Sequence, residues 1–232
     1  MTGMAVAEPG AGSPQGQATP PNFDRLARLY KWMEYASFGP WLWWCRCRFL
    51  TELAGSRRAL VLGDGDGRFT AKLLRANPLL RVDAVDASPY MLRSLVRRAG
   101  PHAPRVTVHC ADARRWQPDS LPCDLVVSHF FLDCLTTGEV RNLACRLHRV
   151  AAPSALWLVS EFAAPDTRLG RAVAAPILAA LYWAFGCMTG LKVRKLPNHA
   201  SAMQAAGFTL KSRHAWLGGL LVSELWSASP DR

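Results

Sequence analysis

The sequence predicts an α/β fold: a doubly wound, mostly parallel seven-stranded sheet with a C-terminal antiparallel hairpin and an N-terminal helical cap. Three observations predict it. Five short apolar runs between residues 58 and 162 alternate with helical stretches, and strands joined by helices pair in parallel with both faces of the sheet covered. A glycine-rich turn closes the first of those runs, and two further strand-like runs flank Gly218-Gly219. Half of the 232 residues are hydrophobic and 19% are charged, which suits one packed domain and excludes a disordered or fibrous chain.

Taken in order, residues 1–22 are rich in Gly, Pro, Ala, Ser and Gln and lack the basic start and apolar run of a secretory signal. They read as a disordered tail on a cytoplasmic protein. Over 23–38, Leu26, Leu29, Tyr30, Met33 and Ala36 recur at helical spacing until Gly39-Pro40 breaks the pattern. A second helical stretch from 41 to about 53 carries Trp41, Trp43 and Trp44 beside Arg46 and Arg48, and completes a cap over 23–54.

A cofactor-binding core is expected over 58–162, with strands at 59–62, 82–85, 106–110, 125–127 and 156–159. Ser88-Pro89 places a capping serine before a proline at the first helical position, and Thr136 with Glu139 forms a capping box. Behind that box, Val140, Leu143, Ala144 and Leu147 make one apolar face. Residues 163–206 are assigned to lid or substrate helices. A terminal hairpin follows over 207–227, in which Phe208, Leu210, Ser212, His214 and Trp216 alternate up to the glycine pair.

The run Ala59-Leu60-Val61-Leu62-Gly63-Asp64-Gly65-Asp66-Gly67 is a buried strand entering a tight turn before a helix. Glycines there allow positive φ and close approach to a ligand, and the helix offers free N–H groups. The spacing discriminates between ligands. A dinucleotide fingerprint needs a last glycine where Arg68 stands, and a phosphate loop needs Gly-Lys-Ser/Thr, which is absent. Asp86 closes the second strand, where a carboxylate can accept two ribose hydroxyl protons; Asp112 closes the third, where it can accept from an adenine amine.

These residues together resemble the class I S-adenosylmethionine-dependent methyltransferases, a Rossmann-like family, over about 23–226. The opening Asp24-Arg25-Leu26-Ala27, with Tyr30 and Trp32, is similar to the quinone-biosynthesis and small-molecule subgroup. The resemblance implies S-adenosyl-L-methionine as cofactor, its methionine end held at Gly63, Asp64, Gly65 and Gly67. It puts the ribose at Asp86, with Ala87 beside it, and adenine against Met91, Asp112 and Ala113. Ser128 and His129 fall beside the transferable methyl. One departure stands out: the family has an acid two residues before the first glycine, where this chain has Val61. Asp64 or Asp66 is the expected replacement, the alternative being that both only solvate the turn.

Methyl transfer from a sulfonium needs near-attack positioning in a dry site more than a strong base. His129 is the first candidate for a proton acceptor, ahead of Asp133 and His199, and a hydrogen-bonded wall residue is the competing role for it. Residues 172–191 carry no charge and are flanked by Arg168, Arg171, Lys192, Arg194 and Lys195. With the Trp41–Trp44 cluster they suggest an apolar small-molecule substrate, and the basic flanks suggest peripheral contact with the inner membrane surface.

A net charge of +11 favours anionic partners without naming one. An RNA substrate is disfavoured, because aromatic residues are not interleaved with a basic patch. A non-catalytic cofactor-binding protein is the alternative from another class. No metal site is expected, since Cys45-x-Cys47 has no second half, and the seven cysteines read as reduced, mostly buried thiols.

Overall fold

The computed structural model describes residues 39–118, 122–165 and 196–229, with isolated positions between 167 and 179. The tail over 1–22, the helix expected over 23–38 and most of 172–191 lie outside the described residues.

A short helix, α1 (Trp41–Cys47), precedes an alternation of strands and helices. These are β1 (Arg58–Leu62), α2 (Arg68–Ala76), β2 (Arg81–Asp86), α3 (Pro89–Ala99), β3 (Val106–Cys110), β4 (Cys123–His129), α4 (Thr137–Val150) and β5 (Ala151–Phe162). Then come α5 (His199–Ala205), β6 (Phe208–Trp216) and β7 (Leu221–Ala228). The seven strands form one sheet in the order β3-β2-β1-β4-β5-β7-β6. β3 through β5 pair in parallel, while β7 lies antiparallel between β5 and β6.

From β1 the chain winds outward to β3, then returns to β4 on the other side of β1. That reversal opens a crevice over the carboxyl ends of β1 and β4, where open α/β sheets take their ligands. Both faces of the sheet are covered. Leu60, Leu62, Val126, Trp157 and Trp226 pack under α4 and α5, and Ala59, Val61, Val127 and Leu158 pack under α2 and α3. Such two-sided burial is why the parallel strands read as continuous apolar runs rather than alternating ones.

The capping signals do what they promise. Ser88 Oγ accepts the N–H of Met91 at the start of α3, with Pro89 in the first turn. Thr136 and Glu139 close a reciprocal capping box on α4.

Four expectations need correction. The helix from Trp41 stops at Cys47, where the Arg48 N–H turns back to Cys45 O at 3.4 Å, and only a 3-10 turn, Thr51–Leu53, continues it. β4 and β5 outrun their apolar cores, because backbone pairing extends to Cys123↔Ala151 and His129↔Ser160 across a register shift. Asp112 stands two residues past the end of β3 rather than on it. The thiols of Cys45 and Cys123 are buried as expected, but Cys110 on the edge strand β3 and Cys145 on the outer side of α4 are exposed. Among the described residues no helix is long and apolar enough to cross a membrane.

Candidate functional site

Strand register assembles the site. Leu62 of β1 faces Val85 of β2, and Asp86 faces Cys110 of β3, so the turn after β1, Asp86 and the 111–113 turn follow one another along one edge of the sheet. Gly63, Gly65 and Gly67 all have positive φ, at 63°, 60° and 77°. Two of them also serve close contacts. A Cβ on Gly67 would fall 2.6 Å from Leu95 Cα, so only glycine lets α2 and α3 approach this closely; one on Gly63 would fall 2.6 Å from the Phe131 ring. A Cβ on Gly65 would meet nothing within 4 Å, so its backbone borders open space.

The two aspartates of the turn do more than solvate it. Asp64 Oδ2 accepts from both the N–H and the hydroxyl of Thr70, at 2.8 and 2.7 Å, and so caps α2, whose own N-cap, Gly67, has no side chain. Burial raises the Asp64 carboxyl above its ordinary pKa against the pull of those two bonds. Asp66 pairs with Arg68 at 3.1 Å and with Arg98 of α3 at 2.9 Å. Val61, where the family has an acid, is a core residue 1% exposed.

Along the rest of the edge, Asp86 Oδ1 accepts the Ser88 N–H at 2.8 Å, and its carbonyl accepts Ala111 N–H. Ala87 is exposed and Met91 partly buried. Asp112 is gripped by Arg114 through contacts of 2.6 to 2.9 Å. Burial alone would raise its pKa, but the Arg114 hydrogen bonds and charge outweigh that and hold it below the usual carboxylate range. Ala113 is buried, and its carbonyl accepts Arg146 Nη2 at 2.8 Å. An open glycine turn, a strand-end carboxylate and a second acid just past the neighbouring strand suit S-adenosylmethionine.

At the end of β4 both residues expected beside the methyl are enclosed. Ser128 is fully buried and its hydroxyl accepts the Trp157 indole N–H at 2.9 Å, so its side chain belongs to the core. His129 is only 3% exposed; its ring stands edge-on to Phe69 with centroids 4.4 Å apart, and Nδ1 lies 2.9 Å from Ser160 Oγ. Burial, aided by the charge of Arg46, holds its pKa well below the ordinary imidazole value. Its ring lies on the side of the sheet that α2 covers.

On the opposite face the two weaker candidates, Asp133 and His199, lie near two acids that the sequence reading did not single out, Glu161 and Glu224. Glu161 Oε1 accepts the backbone N–H groups of Phe131 and Leu132 at 3.1 and 2.8 Å, while Oε2 is buried with no hydrogen-bond partner of good geometry among the described residues. Burial, reinforced by Asp133, pushes its pKa well above the usual range. Asp133 itself is raised to about 6, mainly by burial, with hydrogen bonds from Cys134 and the charge of His199 opposing. His199 Nε2 stands 3.0 Å from Glu224 Oε2, which also accepts the Trp226 indole N–H at 3.0 Å. A visible signal existed: Leu158-Val-Ser-Glu161 and Leu221-Val-Ser-Glu224 are the same four residues, each setting a charge in an apolar strand.

In sequence, residues 59–154 match the family described as methyltransferase domain. No curated protein matches the chain. In structure, the chain is similar to an O-methyltransferase family protein from Burkholderia thailandensis, at 19% identity and a TM-score of 0.65, covering 90% of this chain and 59% of that one. It is similar to N,N-8-amino-8-demethyl-D-riboflavin dimethyltransferase from Streptomyces davawensis, at 21% identity and a TM-score of 0.62 over 91% of this chain and 63% of that one. It is also similar to the N-methyltransferase NodS from Bradyrhizobium japonicum, at 13% identity and a TM-score of 0.53 over 90% and 99%. The chain thus spans about three fifths of the length of the first of these structures.

Proposed function

We propose, from the premise that this chain carries an S-adenosylmethionine-dependent methyltransferase domain, that it transfers the methyl group to a hydroxyl or amine of a small, apolar molecule. The observation that carries this reading is Asp133. Its carboxyl titrates near 6, two residues beyond the ring that covers Gly63.

When bound, S-adenosylmethionine supplies an electrophilic methyl on a sulfonium sulfur. Gly63, Asp64, Gly65 and Gly67 hold its methionine end in this reading, Asp86 with Ala87 its ribose, and Met91, Asp112 and Ala113 its adenine. Ser128 contributes through its backbone only. Asp133, ionised above pH 6, takes the proton that a hydroxyl or amine must release, and the neutral, enclosed His129 does not. Glu161 fixes the 131–133 loop through its two backbone hydrogen bonds, and its neutral form leaves Asp133 free to ionise. Phe130, Phe131 and Phe162 give the surroundings an apolar character.

The printed names of the similar structures, an O-methyltransferase family protein and a dimethyltransferase of an amino-riboflavin, are in keeping with such acceptors. A quinol, an apolar ring with an ionisable hydroxyl, belongs to the same class, which is how the likeness of residues 24–32 to quinone-biosynthesis enzymes bears on the substrate. Peripheral contact with a membrane from the cytoplasmic side completes the reading.

The test is incubation with methyl-labelled cofactor and a panel of apolar phenols, quinols and amines. Label in the organic-soluble small-molecule fraction supports the proposal. Label in RNA or protein, or no transfer by a chain that binds S-adenosylhomocysteine, overturns it.

A further inference from the structure

Trp41 and Trp44 of α1, with Arg48 just past its end, make an outward stripe at spacings of three and four residues, while Leu42, Cys45 and Phe49 turn inward. Trp41 is 36% and Trp44 46% exposed, and their rings meet edge to face at 5.0 Å. The patch continues onto the hairpin. Trp41 stands 5.9 Å from Trp216, and the next residue, Leu217, is 39% exposed at the tip with a positive φ of 48°. Leu42 and Cys45 pack with Leu220 and Leu221, so the helix and the tip share one small apolar cluster.

Nothing in the fold requires these side chains to face water. The inward neighbours satisfy the packing, and Ser223 Oγ donates to Cys45 O at 2.7 Å to fasten the helix to the sheet. Two indoles and a leucine held outward, one of them on strained backbone, form a contiguous apolar patch of the kind that marks a contact surface. Tryptophan favours the boundary between headgroups and acyl chains, where its ring is buried and its N–H stays wet. Charge selects among apolar partners: Arg48 closes the stripe, and the whole chain carries 28 Lys and Arg against 17 Asp and Glu. An excess of that sign is drawn to anionic lipid.

We propose that Trp41, Trp44 and Leu217 form a docking edge for an anionic lipid bilayer, with Arg48 as its cationic flank. This rests on the peripheral-contact reading above and is separable from methyl transfer, because vesicle binding is read without substrate.

The experiment is co-sedimentation of the full chain with phosphatidylcholine vesicles, with and without phosphatidylglycerol, at low and high salt. The parent is expected to sediment with the anionic vesicles at low salt and to be released by high salt, which screens the attraction. Trp41→Ser with Trp44→Ser lowers the partition about tenfold, since binding scales with the apolar area inserted. Arg48→Glu weakens it on anionic vesicles alone. Unchanged S-adenosylhomocysteine affinity, by calorimetry, shows that the variants are folded.

Failure of the parent to sediment, equal binding to neutral vesicles, or parental binding by the double variant overturns the proposal. So does a tryptophan-dependent dimer in sedimentation velocity without vesicle binding, which would assign the patch to a second copy of the chain. A chain that docks without transferring methyl, or transfers without docking, tells the two readings apart.

Discussion

The Phe131 ring lies over Gly63, with Cδ2 only 2.6 Å from where a Cβ on that glycine would stand, so the turn after β1 and the loop after β4 pack as one unit. Glu161 holds the other side of that loop through the Phe131 and Leu132 N–H groups. A disturbance at any of the three should therefore be felt at the cofactor turn.

Gly63→Ala combines this clash with a φ of 63° that alanine resists. A loss of about 1–3 kcal/mol of stability is expected, together with weaker S-adenosylhomocysteine binding. Thermal unfolding and calorimetry measure the two effects. Adding Phe131→Ala should restore part of the affinity by removing the clash, and no restoration would mean that the backbone alone is responsible.

Glu161→Ala leaves two backbone N–H groups without their acceptor, at about 1–3 kcal/mol each if they stay dry. Glu161→Gln keeps an acceptor oxygen and imitates the protonated acid, so its unfolding midpoint should stay close to the parent's. Equal losses for the two variants would contradict the neutral state of this carboxyl.

Asp133 gives two opposite pH effects. Its folded pKa, about 6, is raised above the ordinary carboxylate value, so the folded chain holds this proton more tightly than the unfolded one. Its contribution to stability is complete below the unfolded value near pH 4 and is lost as pH rises through 6. Glu161 acts in the same direction, while Asp112 and Glu224, both lowered, act in the other. The transfer rate should instead rise through pH 6 as Asp133 ionises. Asp133→Asn should abolish that limb and His129→Asn should keep it, which pH–rate profiles of the three proteins would decide.

Asp64→Ala removes the cap of α2 and is expected to cost about 1–2 kcal/mol. Asp86→Ala removes the acceptor of the Ser88 N–H, at about 1 kcal/mol of stability, and should weaken S-adenosylhomocysteine binding about tenfold or more, the scale of a lost charge-assisted hydrogen bond. If Asp64→Ala lost affinity without losing stability, Asp64 would serve the ligand rather than the helix.

The sheet was legible because the central parallel strands β1, β4 and β5 carry apolar runs and the starts of α3 and α4 bear their capping residues. The glycine turn and Asp86 were legible because local spacing places them at strand ends, and Asp112 because it follows one by two residues. Facing was not. Ser128 and His129 are neighbours on one strand and therefore point to opposite faces, and both are enclosed, Ser128 beside Trp157 and His129 beside Phe69. Glu161 was missed because a lone acid in an apolar strand discloses nothing about its partners, which here are backbone groups thirty positions away. Phe131 gives no local sign that its ring will cover a glycine in another loop.

β7 is the last strand in the chain, yet it occupies an interior place in the sheet, between β5 and β6. A nascent chain therefore leaves the ribosome with β5 carrying an open edge from Leu156 to Phe162, until residues 221–228 arrive to cover it. β6 emerges earlier, but in the finished sheet it meets only β7. Closure is thus a late, long-range event, of the kind that slows folding and leaves sticky strand edges in the crowded cell. The yield of soluble protein should depend on how quickly this one strand inserts.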